Sequence, residues 1–245
     1  MSWQPILDGL GKAAELILSG DREVMELTSR SLQTAGYATV MAGLVGLPLA
    51  VLIAMRQFRG KRFVKTLFNA LVGVPTVTLG LFLYALLSRS GPLGFLDLLY
   101  TVPGIAIGEA ILIIPIVVSF VASAIEAKDV QLRDLVRTLG ASELETSLAV
   151  VREASSGVSL ALISSFNRAF AELGIATMIG ANIRGLTRVL TTAIALETAK
   201  GELGLSFALS FILLAVVLSL NFLVSFLQEG RLGRQGWLRM VMGER

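Results

Sequence analysis

Long apolar blocks dominate the pattern of hydrophobic and polar positions along the chain. Three of them contain no charged residue, namely 36–55, 66–88 and 203–227, and two more carry isolated charges, namely 102–125 and 157–181. Each block reaches the roughly 20 residues with which a helix crosses a hydrocarbon core of about 30 Å. Backbone polar groups inside a bilayer must be satisfied within the protein, which favours helices over open strands.

The pattern therefore predicts an all-α membrane protein whose transmembrane domain covers residues 31–228. Five transmembrane helices are expected, at about residues 34–55, 66–88, 102–125, 157–181 and 203–227. A further apolar run, Val189–Leu196, is too short to cross the membrane. We expect this run to form a helix at the outer surface, or dipping partly into the membrane and buried by protein.

Residues 1–30 have a different pattern, with apolar side chains at three- and four-residue steps. The apolar positions are Ile6, Leu7, Leu10, Ala13, Ala14, Ile17 and Leu18, and the charged positions between them are Asp8, Lys12 and Glu15. This spacing predicts an amphipathic helix and an elbow on the extracytoplasmic side, with the helix flat on the membrane surface. Two alternatives stay open. The helix packs against the bundle, or it forms a short sixth span, which would place its three charges at depth.

The basic residues follow a membrane topology. The segment between the first two predicted spans contains Arg56, Arg59, Lys61, Arg62 and Lys65. Such a cluster in a short loop is typical of the cytoplasmic side. Loop 126–156 and the basic tail 229–245 then also face the cytoplasm, and five crossings place the N-terminus outside. We expect a multi-pass protein of the inner (cytoplasmic) membrane.

Composition excludes several kinds of chemistry. The chain of 245 residues is 54% hydrophobic and 16% charged, and it contains no histidine and no cysteine. Its mean hydropathy is +0.77. Histidine triads, thiolate chemistry and disulfides are therefore excluded, and we expect no metal site and no cofactor in this chain. The charge distribution also gives no reason to expect nucleic acid binding.

The cytoplasmic loop 126–156 has the pattern of two short helices joined by a tight turn. One apolar stripe comprises Leu132, Leu135, Val136 and Leu139, and the other comprises Leu144, Leu148 and Val151. Gly140 falls where the first helix needs a left-handed C-terminal residue. Ser142 can cap the second helix, and Glu145 completes a capping box. The sequence therefore predicts a rigid helix–turn–helix projecting into the cytoplasm.

The run Asp134-Leu-Val-Arg-Thr-Leu-Gly140-Ala-Ser142 resembles the "EAA" loop of ABC importer permeases. The resemblance implies a coupling helix that docks on a separate ATPase subunit. The residues implied in that coupling are Asp134, Leu139, Gly140, Ala141, Ser142 and Glu145. This sequence departs from the family pattern at Leu135 and Val136, where alanines are usual, and at Arg152-Glu153, where many members have Leu-Pro.

Three polar residues lie inside the fourth predicted span, namely Asn167, Arg168 and Glu172. Charges at membrane depth are costly, so they should face protein or water. Arg168 and Glu172 are four residues apart and can pair on one helix face. The pair can serve as a clamp within the bundle, which we favour, or Arg168 can contribute to an anion path. Glu109 in the third span is a further possible partner, and its role is open.

The run Phe166-Asn-Arg-Ala-Phe-Ala-Glu172-Leu-Gly174 and the run from Gly180 to Thr187 resemble oxyanion permeases that serve molybdate, tungstate and sulfate. Two more runs, Leu87–Gly94 and Leu190–Glu202, resemble the tungstate branch of that family. The similarity covers nearly all of the chain after about residue 30. It implies a binding-protein-dependent type I ABC importer permease that translocates tungstate by alternating access.

The resemblance also implies partners. We expect a homodimer that encloses one pathway, two ATP-binding subunits that use ATP and Mg²⁺ on the cytoplasmic side, and an extracytoplasmic tungstate-binding protein. Lipid surrounds the spans. Four polar residues on the outer side are expected either to receive the anion or to hold the binding protein, and they are Asn182, Arg184, Thr187 and Arg188.

Rival functions differ in what they would require. A molybdate or sulfate permease of the same fold is distinguished mainly by its binding protein. A secondary transporter driven by an ion gradient would need ion-binding carboxylates at the midplane, for which only Glu109 and Glu172 qualify. A membrane-embedded enzyme has no histidine, cysteine or matched carboxylate pair to work with. The chain also lacks a Gly-x-x-x-x-Gly-Lys-Ser/Thr phosphate loop, so ATP hydrolysis is expected in a partner.

Overall fold

The computed structural model describes residues 3–128, 136 and 138–241. These residues form ten α-helices and no strand, as the prediction of an all-α membrane protein requires. The helices are α1 Gln4–Leu18, α2 Arg22–Met55, α3 Lys61–Leu71, α4 Thr76–Leu87, α5 Val102–Glu126, α6 Glu143–Glu153, α7 Ser155–Phe170, α8 Gly174–Gly180, α9 Leu190–Ala199 and α10 Leu203–Val241. A single 3₁₀ turn, Gly94–Leu96, lies in the loop after α4.

The core of the molecule lies where α2 packs along α5. The contacting face of α2 consists of small side chains, and Ala35, Ala38 and Ala42 are completely buried. At Gly46 even a Cβ atom would lie 2.8 Å from Cγ1 of Val117 on α5. Small residues allow two membrane helices to approach closely, because the packing gain is not offset by bulky side chains. α7 packs on the same pair of helices.

α2 begins eight residues before the boundary of 30 that was predicted for the N-terminal segment. Gly20 adopts a positive φ of 62°, which ends the preceding helical segment. The carboxylate of Asp21 then accepts a hydrogen bond of 2.9 Å from the N–H of Val24 and caps α2. This cap allows the helix to begin well before the apolar part of its sequence.

In place of the single helix expected over 66–88, the structure has two helices, α3 and α4, which meet at an angle of 96°. Pro75 causes the break. It has no N–H to donate to a preceding turn, and it disfavours the helical conformation of Val74 before it. The break falls between Leu71 and Thr76, where Gly73 also weakens the helix.

The expected span 157–181 is also divided. α7 ends at Phe170, and α8 begins at Gly174. A Cβ atom on Gly174 would lie 2.8 Å from Oγ1 of Thr76 and 3.0 Å from the backbone nitrogen of Val77. The start of α8 therefore packs directly on the start of α4, and only glycine permits this approach. The broken helices meet at their breaks.

Among the residues that the structure describes, three helices are long and apolar enough to cross a membrane, namely Arg22–Met55, Val102–Glu126 and Leu203–Phe226. The count reaches five when each of two bent helix pairs is taken as one crossing. The pairs are α3 with α4 and α6 with α7, and the second pair is bent by 71°. The prediction of five crossings is thus compatible with the helices, although two of the crossings would not be straight.

The N-terminal helix α1 packs against α10, as one of the open alternatives proposed. Gly9 faces this contact, where a Cβ atom would lie 2.4 Å from Cβ of Phe207. Ala13 is buried, while Leu7 and Leu18 are exposed. The helix therefore uses only a narrow strip of small residues to hold α10. Its wider apolar face is not covered by the described part of the chain.

In the last third of the chain, one predicted helix is present and another is longer than expected. The short run predicted at the outer side is helix α9, and its residues Leu190 and Ala193 are buried by protein as expected. The final helix α10 continues to Val241, so most of the segment predicted as a tail from residue 229 is helical backbone. No proline interrupts this stretch, and the helix can propagate.

Candidate coupling and translocation sites

The turn between Val136 and Ser142, which the sequence predicts on the cytoplasmic side, has the predicted backbone geometry. Gly140 adopts a φ of +85°, the left-handed conformation that favours glycine. The N–H of Ala141 donates to the carbonyl of Val136 at 3.3 Å, which closes the turn. No atom of the residues that the structure describes lies within 4 Å of a Cβ atom placed on Gly140. The requirement for glycine therefore comes from backbone strain and not from crowding.

The capping box at the start of α6 is present as predicted. The hydroxyl of Ser142 accepts from the N–H of Glu145 at 3.3 Å, and the Glu145 carboxylate accepts from the N–H of Ser142 at 2.8 Å. The same carboxylate also accepts from the Ser142 hydroxyl at 2.8 Å. The backbone hydrogen bond from Ser142, followed by the one from its side chain, lowers the pKa of Glu145. The cap is thus strongest when Glu145 is ionised.

We call the described residues 136 and 138–153 the coupling knuckle. Its inward face uses Thr146 and Val150, which are buried. Its outward face carries Leu139 and Leu144, which are 79% and 72% exposed. Large apolar side chains held this far into solvent on a rigid turn are typical of a docking surface. The role of the predicted coupling residues remains a prediction, and Asp134 lies outside the described residues, as do Leu132 and Leu135.

Inside the bundle, Glu172 occupies the break between α7 and α8. It is 2% exposed, and its Oε2 accepts from Nη1 of Arg168 at 2.6 Å. Its Oε1 accepts from the N–H of Ile175 at 3.2 Å, while its backbone carbonyl accepts from the hydroxyl of Thr191 at 2.8 Å. We call these four residues the Glu172 junction. The Glu172 carboxylate thereby connects α7 and α8, and its backbone carbonyl adds α9, which supports the clamp interpretation of the Arg168–Glu172 pair.

Asn167 forms a second connection, to the last helix. Its Nδ2 donates to Oδ1 of Asn221 at 2.9 Å, and Nδ2 of Asn221 donates back at 3.3 Å. Nδ2 of Asn221 also donates to the carbonyl of Val217 at 2.7 Å. Asn221 was not among the residues predicted from the sequence. A lone amide within the apolar block 203–227 could have indicated it, because such a side chain needs a polar partner in a membrane helix.

Glu109 lies on α5 and is 2% exposed. Its Oε2 has no hydrogen-bond partner within the part of the chain that the structure describes. Gly108 beside it packs on Ile175 and Ile179 of α8, so Glu109 sits next to the Glu172 junction. The neighbouring carboxylate is Glu172 itself, with which Glu109 interacts electrostatically. Glu109 is therefore a neighbour of the Arg168–Glu172 pair, and it forms no ion pair with Arg168.

On the outer side, the predicted arginines converge on Glu23 at the start of α2. The guanidinium of Arg184 binds both carboxylate oxygens of Glu23, with Nε at 3.1 Å from Oε1 and Nη2 on Oε2. Nη1 of Arg188 lies 3.8 Å from Oε1 of the same carboxylate. The hydrogen bond with Glu23 raises the pKa of Arg184. Glu23 thus neutralises part of the positive charge that an anion would meet.

The other two predicted outer residues shape the loop. Asn182 accepts from Nε of Arg188 at 3.1 Å through its Oδ1. Thr187 is completely buried, where it accepts from the N–H of Ile183 at 3.0 Å and donates to the carbonyl of Gly180. Thr187 therefore holds the loop together and does not face the outside. Of the four residues, Arg184 is the most accessible.

Arg30 and Glu23 belong to this outer site but were not predicted. Arg30 donates to the carbonyl of Arg188 at 2.8 Å and to that of Gly185 at 3.2 Å. Together with the outer loop they border a cleft of about 300 Å³. They lie more than 150 positions away from the loop in sequence, and no local pattern links such distant residues.

Comparison with known proteins agrees with these features. The sequence profile of the family described as binding-protein-dependent transport system inner membrane component matches residues 46–231. This range contains the coupling knuckle, the Glu172 junction and the outer loop.

Three relatives are similar over most of the chain. The tungstate uptake system permease protein of Peptoclostridium acidaminophilum is 33% identical over 91% of this chain and 98% of its own. That of Campylobacter jejuni is 34% identical over 91% of this chain and 94% of its own. The probable anion ABC transporter permease protein of Haloferax volcanii is 36% identical over 87% and 94%.

Proposed function

The chain belongs to the family of binding-protein-dependent transport system inner membrane components, and we propose that it is the permease subunit of an ATP-driven importer for tungstate. The similarity to tungstate uptake permeases over about nine tenths of the chain is the observation that carries this proposal. A permease subunit of this family is not itself an enzyme. ATP and Mg²⁺ are used by the separate ATPase subunit.

Molybdate or sulfate is the second candidate cargo, because permeases for both are related to this chain. All three anions are compact tetrahedral dianions that a membrane interior excludes. The polar groups described above, namely arginines, amides and hydroxyls, suit any of them. Selection among the three belongs mainly to the binding protein that delivers the anion.

The coupling knuckle is the proposed contact for the ATPase subunits. Leu139, Leu144 and Leu148 are exposed on it, and burial of apolar surface is the dominant favourable term in most protein–protein association. The left-handed Gly140 and the capping box hold these leucines on a stiff turn. A stiff element transmits movement of the ATPase to α7, which follows the knuckle directly.

Two copies of the chain are proposed to form the pathway. Five crossings can hardly enclose a gated route, and α4 exposes large apolar side chains such as Leu81 and Phe82. The knuckles place two ATPase subunits on the cytoplasmic side, with the C-terminus. The N-terminus, the outer cleft around Glu23 and the binding protein then lie on the opposite side of the inner membrane.

The Glu172 junction has a mechanical role in this proposal. It joins α7 and α8 through the buried carboxylate of Glu172 and α9 through the backbone carbonyl of the same residue, so these helices move as one body when the knuckle is displaced. ATP binding would rock the two halves between inward- and outward-open states. The outer arginines, which Glu23 partly neutralises, either receive the anion or hold the binding protein.

Cell-associated tungsten, measured by mass spectrometry, tests the proposed cargo. Cells with and without this gene are compared at trace tungstate, alone and with excess molybdate or sulfate. We expect deletion to abolish uptake, and neither competitor to reduce it in the intact strain. Unchanged uptake after deletion would remove tungstate as the cargo. Strong competition by molybdate or sulfate would make that anion the better candidate.

A further inference from the structure

The helix α3 cannot cross the membrane together with α4. The two helices meet at 96°, so at most one of them runs along the membrane normal. α4 contains no charged residue, whereas α3 carries Lys61, Arg62 and Lys65. Three charges within two turns would be costly at membrane depth. α4 is therefore the crossing element, and α3 lies across its cytoplasmic end.

One face of α3 is fixed to the cytoplasmic ends of the long helices. Nζ of Lys61 lies 3.2 Å from Oε1 of Glu126, the last residue of α5, and Nζ of Lys65 lies 2.5 Å from Oε2. Lys61 also donates to the carbonyl of Ala54 near the end of α2 at 3.0 Å. These contacts determine which sides of α3 remain free.

The free surface of α3 has two distinct stripes. Phe63, Leu67 and Leu71 follow one another at steps of four residues, and Phe63 is 71% exposed. Beside them Arg62 and Thr66 are exposed and polar. No residue of α3 is fully buried by the described chain. A helix with an apolar stripe, a polar stripe and basic residues is typical of an element that lies in the membrane surface.

The positive charge around α3 exceeds the negative charge of the described residues that pair with it. Arg56, Arg59 and Arg62 are exposed and form no ion pair with any residue that the structure describes. Glu126 neutralises only the neighbouring lysines. Each arginine or lysine near an anionic membrane surface strengthens binding to that surface. Uncompensated arginines beside an exposed apolar stripe therefore match a layer of acidic headgroups.

We propose that α3 is an in-plane helix of the cytoplasmic membrane surface. Phe63, Leu67 and Leu71 insert among the lipid chains, and the three arginines bind the headgroups of anionic phospholipids. A second copy of the chain is a poorer occupant of this face. In a two-fold symmetric contact the same arginines would approach one another, and like charges at an interface oppose binding.

The remainder of the second crossing is compatible with this placement. The 12 residues of α4 extend over only about 18 Å. The loop after α4 must therefore lie partly within the outer leaflet region. Part of its backbone is hydrogen-bonded within the protein, since the N–H of Leu93 donates to the carbonyl of Leu86 at 2.9 Å and the N–H of Tyr100 donates to the carbonyl of Ile179 at 2.9 Å. Phe95 projects from this loop and is exposed. Non-helical backbone is tolerated at this depth when its polar groups are paired.

A single tryptophan reporter tests where α3 lies. Trp3 and Trp237 are replaced by phenylalanine, Phe63→Trp is introduced, and the full-length protein is reconstituted in vesicles of phosphatidylcholine and phosphatidylglycerol. Brominated lipids quench the reporter from either the headgroup end or the methyl end of the chains. We expect the shallow bromine to quench more strongly. Leu214→Trp, at an exposed position of α10, serves as the matched deep control.

Two results would overturn the placement. Stronger quenching by the deep bromine, as for Leu214→Trp, would make α3 part of a spanning segment. Absence of quenching by either lipid would mean that protein, such as a second copy, or water covers Phe63.

The headgroup preference is tested with the same reporter. Brominated phosphatidylglycerol in a phosphatidylcholine background is compared with the reverse mixture. At low salt we expect about a threefold enrichment of the anionic lipid around Phe63→Trp, which declines as salt is added. The triple change Arg56→Gln, Arg59→Gln and Arg62→Gln should abolish it, and Leu214→Trp should show none. Enrichment that persists in the triple variant, or none in the parent, would contradict the arginine–headgroup contact.

Discussion

The coupling knuckle and the Glu172 junction both consist of a helix start and a carboxylate, yet they have opposite surroundings. In the knuckle, Glu145 caps α6 in the open, and leucines around it face solvent. In the junction, Glu172 receives the N–H of Ile175 at the start of α8 while completely enclosed by protein. The knuckle leaves its apolar surface available to a partner, whereas the junction has used its polar groups within the chain.

This difference indicates that the coupling knuckle and the Glu172 junction have separate functions. A surface that is stiff but incompletely buried gains free energy only when a partner covers it. A buried ion pair gains little net stability, but removal of one partner is costly, because the other charge remains buried. Changes in the knuckle should therefore affect assembly, and changes in the junction should affect the fold.

The largest effect is expected from Gly140→Val. A β-branched residue is strongly disfavoured at a φ of +85°, so the turn should lose its shape while the membrane helices still insert. Pull-down of the ATPase subunit from detergent extracts should fall to background. Gly140→Asn is the matched control, because asparagine tolerates the left-handed region, and it should retain most of the binding. Equal retention by both variants would contradict the assembly role of the turn.

Glu172→Gln should cause the next largest effect, on stability. It leaves the guanidinium of Arg168 without its ion pair, at a cost of about 2 kcal/mol after allowance for the 38% exposure of that side chain. The thermal midpoint of the purified protein should fall, and uptake per folded molecule should fall much less, because the backbone contact of residue 172 with Thr191 remains. Adding Arg168→Met should recover part of the loss. Unchanged stability with abolished uptake would instead place the pair in the anion path.

Leu144→Ser should weaken the ATPase contact without loss of stability, which sharpens the contrast with Glu172. The side chain is exposed, so the fold loses little, but the interface loses an apolar contact of about 1–2 kcal/mol, or roughly tenfold in affinity. Titration of the ATPase subunit measures the change. Leu218→Ser on exposed α10 serves as the control and should leave affinity unchanged. A large drop in thermal stability for Leu144→Ser would mean that the leucine packs within the chain.

The amide pair between α7 and α10 should show a smaller effect with strong coupling. Asn167→Leu or Asn221→Leu each leaves one partly buried amide without its partner, at a cost of about 1 kcal/mol. The double variant should be close to the parent in stability, because no amide is then left unpaired. Thermal unfolding of the four proteins provides the coupling energy. Strict additivity of the two losses would show that the amides do not depend on each other.

The smallest effect concerns pH and the capping box. The pKa of Glu145 is lowered from 4.5 by its hydrogen bonds to Ser142, so its stabilisation of α6 is present above the unfolded value. It is lost as pH falls through the lower folded value. Hydrogen exchange of amides in α6, corrected for intrinsic rates, should rise below about pH 4. Glu145→Gln should remove this pH dependence. A rise of equal size in that variant would assign it to another group.

The sequence predicted the knuckle better than the junction for a physical reason. Gly140, Ser142 and Glu145 act on their immediate neighbours, so a local pattern is enough to find the turn and its cap. The pair of Arg168 with Glu172 was also within reach, because four residues make one helix turn. The long-range partners Glu23 and Asn221 were missed, since nothing local indicates which distant helix will pack nearby.

The helix breaks were missed for another reason. An apolar block of sufficient length predicts a crossing, but it does not show whether the helix inside it is continuous. Pro75 gave a signal for the bend between α3 and α4, whereas Gly174 acquired its meaning only from the contact with Thr76. The five predicted crossings are compatible with the described helices when each bent pair is taken as one crossing, and the shape of those two crossings depends on tertiary packing.

Transport in a defined system tests the central claim most directly. The permease is reconstituted in vesicles with its ATPase subunit and the tungstate-binding protein, with ATP and Mg²⁺ on the ATPase side, and trapped tungsten is measured by mass spectrometry. The account predicts accumulation that requires ATP and the binding protein and that disappears with Gly140→Val. Accumulation driven by an ion gradient without ATP, or undiminished in that variant, would contradict it.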